Sequence, residues 1–127
     1  MPNFPIADTR TENISFEKGI MKVVTKSVEL HELADAIENV KVADELANGE
    51  KYKLLIDLKN TKQASIEARQ YYSSNQNRNV IAAAFIIDTP VNLIIGKMFE
   101  GINKPFFPVK LFNSEEEGLN WLNTFSG

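Results

Sequence analysis

The stretch VIAAAFII at 80–87, followed at once by Asp88, Thr89 and Pro90, decides the fold. An unbroken apolar run of this length is far short of the roughly 20 residues that span a bilayer, and it suits a strand covered on both faces. Thr89 offers a capping hydroxyl, and Pro90 fits the first helical position, where its missing N–H costs nothing. A buried strand therefore runs straight into a helix, predicted from Pro90 to about Gly101. The preceding stretch repeats the arrangement. Tyr52–Leu58 is nearly continuous in apolar residues, 59–64 is a polar loop, and Ser65 can cap a helix through about Gln76. A third unit closes the chain. PFFPVKLF at 105–112 carries two prolines and reads as an edge strand or one beginning near Val109. Ser114 and Glu117 then form a capping box, with Leu119, Leu122 and Phe125 on one helix face.

Upstream, ENISFEK at 12–18 alternates at Ile14 and Phe16, Gly19 offers a turn, and Ile20–Thr25 is rich in β-branched residues. This is the pattern of a hairpin. Ser27 is the candidate N-cap of a long helix with Leu30, Leu33, Ile37 and Val40 inward, extended by Ala34, Leu46 and Ala47. Glu32, Asp35, Glu38 and Asp44 fall on the predicted wet side, and Gly49 ends the helix. Residues 1–11 read as a loosely ordered lead-in, and 12–126 as a single domain. The predicted class is α/β. An N-terminal β-hairpin is followed by α-β-α-β-α-β-α, giving a mixed, mostly parallel sheet of about five strands with four helices and right-handed crossovers.

The 127 residues suffice for one real core, and 43% hydrophobic with 24% charged content excludes a disordered chain. Cysteine is absent, which removes disulfide scaffolds, thiolate metal sites and thiol nucleophiles together. The net charge of −3 and the lack of a basic block exclude the electrostatic footprint of a nucleic-acid binder. The N-terminus has no cationic start or apolar core of signal-peptide length. The expectation is a cytoplasmic protein with no membrane span.

The chemical inventory is sparse. His31 is the single histidine and is expected on the surface of the long helix; no second histidine can build a metal site with it. The glycines stand singly, so no phosphate-cradling loop can be written. Asp57 with Lys59, and Asp88 with Thr89, sit at strand-to-helix junctions, where open α/β sheets bind ligands. Asp57 and Asp88 could approach one another on neighbouring strands, but ordinary turn and cap chemistry is the expectation. Ser65 and Thr61 are hydroxyls near a helix start, where phosphate would be favoured. The helix at 90–103 carries surplus apolar residues. Val91, Ile94, Ile95, Met98 and Ile102 make a stripe, with Leu93 and Phe99 at its sides, Lys97 among the few wet positions, and Phe106 and Phe107 close behind. Such a surplus serves a partner, a second copy, an apolar ligand or deeper burial.

Four stretches carry a family resemblance: 12–47, YKLLIDLKNTKQASIEARQYYSS at 52–74, VIAAAFIIDTPVNLIIGKMFEGINKP at 80–105, and FPVKLFNSEEEGLNWL at 107–122. The chain resembles the small stand-alone bacterial proteins of the STAS / SpoIIAA-like group, whose fold is shared by anti-sigma-factor antagonists. The resemblance implies a non-catalytic, regulatory protein-binding module with no cofactor, no catalytic residue and no metal, working through a protein partner or as a homodimer. In the antagonists a D-S-[ST]-G motif carries a phosphorylated serine. Ser65 matches that serine, with Thr61 a weaker neighbour, but Ala64 replaces the aspartate and the glycine is missing. The lipid-carrying SEC14-like domains share the fold but are much larger, so no full lipid cavity is expected. The alternative function is small-ligand sensing, with an apolar or nucleotide ligand beside Asp57, Ser65, Asp88 and the 90–103 helix. The candidate partner or ligand site is thus Asp57, Lys59, Asp88, Thr89, Leu93, Lys97, Met98 and Phe99.

Overall fold

The computed structural model describes residues 4–74 and 79–126; the predicted helix end at Gln76 lies outside them. Six strands form one sheet in sequence order: β1 (Ile6–Asp8), β2 (Glu12–Glu17), β3 (Ile20–Thr25), β4 (Tyr52–Asp57), β5 (Val80–Ile86) and β6 (Val109–Phe112). The first three pair antiparallel, and β3 through β6 pair parallel. The hairpin turns at Lys18 and Gly19, both with positive φ, the geometry that follows the twist of the strands. β1 is the strand beyond the expected five. It lies within residues 1–11 and pairs with β2.

Four helices follow the strands: α1 (Leu33–Ala47), α2 (Ile66–Tyr72), α3 (Pro90–Glu100) and α4 (Glu115–Leu122). Ser65, Thr89 and Ser114 each cap their helix through the side-chain oxygen. α1, α2 and α3 share one face of the sheet with Ile14, Met21, Val23 and Phe85. α4 alone covers the other face, packing Leu122 onto Leu55, Ala84 and Ile86. It sits close because Gly118 lacks a Cβ, which would stand 3.0–3.3 Å from Ile86, Leu55 and Ala84. β4 and β5 are thus covered on both faces, as their unbroken apolar runs require.

Two helix faces differ from the expectation. α1 begins at Leu33 with Glu32 as N-cap, not at Ser27. Its inward face is Ala36, Val40, Ala43 and Ala47 together with Asp35 and Asn39, while Leu33 and Ile37 are exposed. The polar pair turns inward because the N-terminal segment supplies partners. Arg10 grips the Asp35 carboxylate at 2.8 Å through Nε, and the Thr9 hydroxyl donates to Asn39 Oδ1 at 2.6 Å. On α3 the inward residues are Asn92, Ile95, Gly96 and Phe99, so Phe99 belongs to the core and not to an open flank. Asn92 is buried because its amide closes the cap. Its Oδ1 accepts the Asp88 and Thr89 N–H groups at 2.9 and 3.1 Å.

Candidate functional site

Between the sheet and α1–α3 lies a cavity of about 90 Å³. Its position follows from strand order. All parallel connections progress one way along the sheet, so no reversal opens a crevice at the strand ends. Space remains instead beneath the helices, where the small residues Ala43 of α1 and Ala83 of β5 both belong to the wall. Most of its wall is aliphatic and aromatic, from Ile14, Val23, Leu54, Phe85, Ile95 and Phe99. Polar atoms enter from β2, β3 and the two loops that follow β3 and β4: Glu12, Thr25, His31 and Thr61.

The loops are locked to one another. The His31 N–H donates to Gln63 O and the Ser65 N–H to His31 O, each at 2.9 Å. This isolated bridge pulls His31 out of any helix, and it is 3% exposed, where the expectation was a surface helix residue. Asn60 Nδ2 donates to Thr25 O at 3.1 Å, and Thr61 N–H to Leu58 O at 2.8 Å, which turns the second loop inward. Arg69 closes the side, donating to Ala64 O at 2.5 Å and to Asn103 Oδ1 at 3.1 Å.

Two of the lining residues each carry a buried side-chain atom without a hydrogen-bond partner: His31 Nε2 and Thr61 Oγ1. Buried polar atoms are nearly always paired, so each orphan calls for an explanation. Burial, reinforced by the Arg10 charge, lowers the His31 pKa against the opposing pull of Asp35, which keeps the ring neutral at pH 7. Glu12 is 7% exposed, and burial with the nearby Asp35 charge pushes its carboxyl up to about 8, against the Tyr72 hydrogen bond. The Tyr72 hydroxyl also accepts from Asn39 Nδ2 at 2.9 Å, and the same amide donates to Thr11 Oγ1 at 2.9 Å. One end of the cavity is thus a buried, uncharged polar network anchored in α1 and the N-terminal segment.

Of the residues proposed from the sequence as the phospho-acceptor, partner or ligand site, only Thr61 and Phe99 line this cavity; His31, Ile95 and Phe107, noted in the sequence for other reasons, line it too. Thr61 is buried, and Phe99 stacks edge-on against Phe85 and Tyr72. Ser65 is a helix cap, accepting the Ala68 N–H at 3.1 Å. Asp57 accepts the Lys59 N–H at 2.9 Å, and Asp88 accepts Asn92 Nδ2 at 3.1 Å, so each closes its own turn. Leu93 and Lys97 lie at the exposed surface of α3, Lys97 paired with Glu100 at 3.2 Å, and Met98 is half-buried. Among the described residues no group of three acidic or histidine side chains could hold a metal ion. No helix among them is long and apolar enough to cross a membrane. Sequence reasoning missed Glu12 and Asn39. The one available signal was that a polar residue on each starts or breaks an otherwise inward-facing apolar row.

Residues 14–126 match a family described as a domain of unknown function. The chain belongs to that family, DUF7793. No curated protein matches this family member in sequence. Its fold is similar to that of an uncharacterised protein of the DUF3478 family from Shewanella loihica PV-4, described as having a SpoIIAA-like fold. The TM-score is 0.61 at 15% identity, over 96% of this chain and 97% of that one. The SpoIIAA-like fold expected from the sequence is therefore present, within the DUF7793 family.

Proposed function

We propose that this DUF7793 member is a non-catalytic binding domain whose interior cavity receives a small molecule. The observation that carries the reading is a mostly apolar interior cavity whose lining residues include His31 and Thr61, each with a buried side-chain atom that has no hydrogen-bond partner. A mostly apolar pocket with a few convergent polar groups is the usual form of a ligand site. The Thr61 hydroxyl makes no hydrogen bond to His31 or to any other base, which favours a binding role for the cavity over a nucleophilic one. Thermal-shift and ligand-observed NMR screening with small neutral compounds tests the reading. A ligand that binds the native state raises Tm, and Ala43→Leu, which fills the cavity from α1, abolishes the rise. A screen in which no compound stabilises the protein refutes it.

A second reading, docking of a protein partner or a second copy, is supported by the outer face of α3 and the segment behind it. Val91, Ile94, Ile102 and Phe106 are all more than half exposed there. A phosphoserine-switch form of that reading rests on Ser65 alone, since Ala64 stands where the motif has aspartate. Light scattering that finds a dimer, separated by Ile94→Lys, would support self-association. A monomer at high concentration would leave only a foreign partner.

A further inference from the structure

Granting that the cavity binds a small molecule, we infer that its ligand is an uncharged hydrocarbon of about four heavy atoms, gripped by side-chain carbon and not by a polar head-group contact. The composition of the wall is the first ground. Ile14, Val23, Leu54, Phe85, Ile95 and Phe99 line it from β2, β3, β4, β5 and α3. The volume sets the size. A cavity of ~150 Å³ admits the six carbons of benzene, and this one is about 90 Å³.

The polar side chains of the wall are the second ground, because their hydrogen bonds run to the protein. Thr25 Oγ1 donates to Asp57 O at 2.9 Å, and the Tyr52 hydroxyl to Asp44 Oδ1 at 3.1 Å. Asn39 is bonded to Thr9, Thr11 and Tyr72, and Tyr72 in turn to Glu12. The two orphans, His31 Nε2 and Thr61 Oγ1, have almost no accessible surface, so neither opens onto the void. A water held there would need several polar partners. A hydrocarbon needs none, and it restores the dispersion contacts that an empty void forfeits.

Charge is excluded from both directions. Among the described residues the wall includes no lysine or arginine, and His31 is neutral at pH 7 because burial lowers its pKa, so an anion meets no counter-charge. Burial pushes the Glu12 carboxyl up to about 8, so at pH 7 it is mostly protonated and is no counter-ion for an amine.

The test uses the full chain and four probes of equal heavy-atom count: butane, 1-propanol, propylamine and acetate. Methyl-labelled NMR at pH 7 reads saturable shifts at Ile14, Val23 and Ile95 and gives each Kd. Butane is expected to shift these methyls. 1-Propanol should bind about tenfold more weakly, for want of a partner for its hydroxyl, and the two ions should not bind. Ala43→Leu and Ala83→Val, which fill the void from α1 and from β5, should each abolish the butane shifts. If one of them fails to fold, the other decides, and the ranking of probes on the native protein decides the ligand class by itself. Butane shifts that persist in a folded filling variant overturn the inference. 1-Propanol bound as tightly as butane, or propylamine or acetate bound more tightly, overturns the apolar class and leaves the cavity's binding role standing. Failure of butane to bind also overturns this inference; failure of the wider screen as well removes the binding role.

Discussion

His31 and Ala64 form a single parallel bridge outside the sheet, and it ties the loop after β3 to the loop after β4. The residue that supplies Nε2 and the residues flanking Thr61 therefore share one hydrogen-bonded unit. Two arginines brace it from opposite ends. Arg10 Nη2 donates to Leu30 O at 2.8 Å, and Arg69 donates to Ala64 O. A pocket edge made of two cross-linked loops holds its side chains in place, which is what a preorganised binding site needs.

Arg10→Ala is expected to loosen this edge. Amide exchange at His31 and Ser65 should accelerate, and Tm should fall at pH 7. The Arg10 guanidinium holds the Asp35 carboxyl below the usual carboxylate range. A lowered carboxyl pKa stabilises the fold above the unfolded value and ceases to do so as pH falls through the folded one. The gap between native protein and variant should therefore shrink toward acid, and denaturation at pH 7 and pH 3 measures it.

Glu12 predicts the opposite slope. Its carboxyl is pushed up from 4.5 to about 8, chiefly by burial and then by the Asp35 charge. Below pH 4.5 it is protonated in both states and costs nothing. Between 4.5 and 8 only the unfolded chain ionises, so native stability declines with rising pH, by on the order of 4 kcal/mol across the window. Glu12→Gln should lack this decline and be the more stable protein at pH 8. Urea unfolding at four pH values between 5 and 8 gives the slopes. His31, whose pKa is lowered, adds a loss of stability only below about pH 6.5. Parallel curves for protein and variant would mean that Glu12 finds a partner when ionised.

Tyr72→Phe removes the hydroxyl that links Asn39 to Glu12. One donor of the buried Asn39 amide would lose that acceptor, at a cost of about 1–3 kcal/mol. The loss also removes an influence that lowers the Glu12 pKa. The carboxyl should then titrate above its native value, which carbon-detected NMR of labelled glutamate can follow. A double variant with Glu12→Gln should cost less than the sum of the two singles, because the two groups share one network.

Most elements were legible because each is announced locally. The caps at Ser65, Thr89 and Ser114, the hairpin turn at Gly19 and the unbroken strand at Val80 need no knowledge of the rest of the chain. The site was not legible, because it is assembled from distance. Asn39 and Asp35 look like solvent-facing helix residues until Thr9 and Arg10 arrive from the N-terminus to pair them. His31 looks like a first-turn helix residue until Gln63 and Ser65 claim its backbone. Hydrophobic periodicity assumes that polar side chains face water. It fails where a polar side chain has a buried partner far away in sequence.

The same failure makes α3 a sharp test of the packing. Periodicity placed Ile94 and Ile95 on one stripe, but the fold separates them, Ile94 at 57% exposure and Ile95 at 6%. The rotation is set by Asn92, whose buried amide must reach back to the Asp88 and Thr89 N–H groups and thereby fixes which side of the helix turns inward. Ile95→Ala should cost about 2–5 kcal/mol, since it empties space beside the cavity and against Phe99. Ile94→Ala should change stability by no more than about 0.5 kcal/mol in the monomer. Denaturant midpoints at low protein concentration compare the two. A large cost at Ile94 that grows with protein concentration would mean that the outer face of α3 is covered in solution by a second copy, because only an interface makes stability depend on concentration.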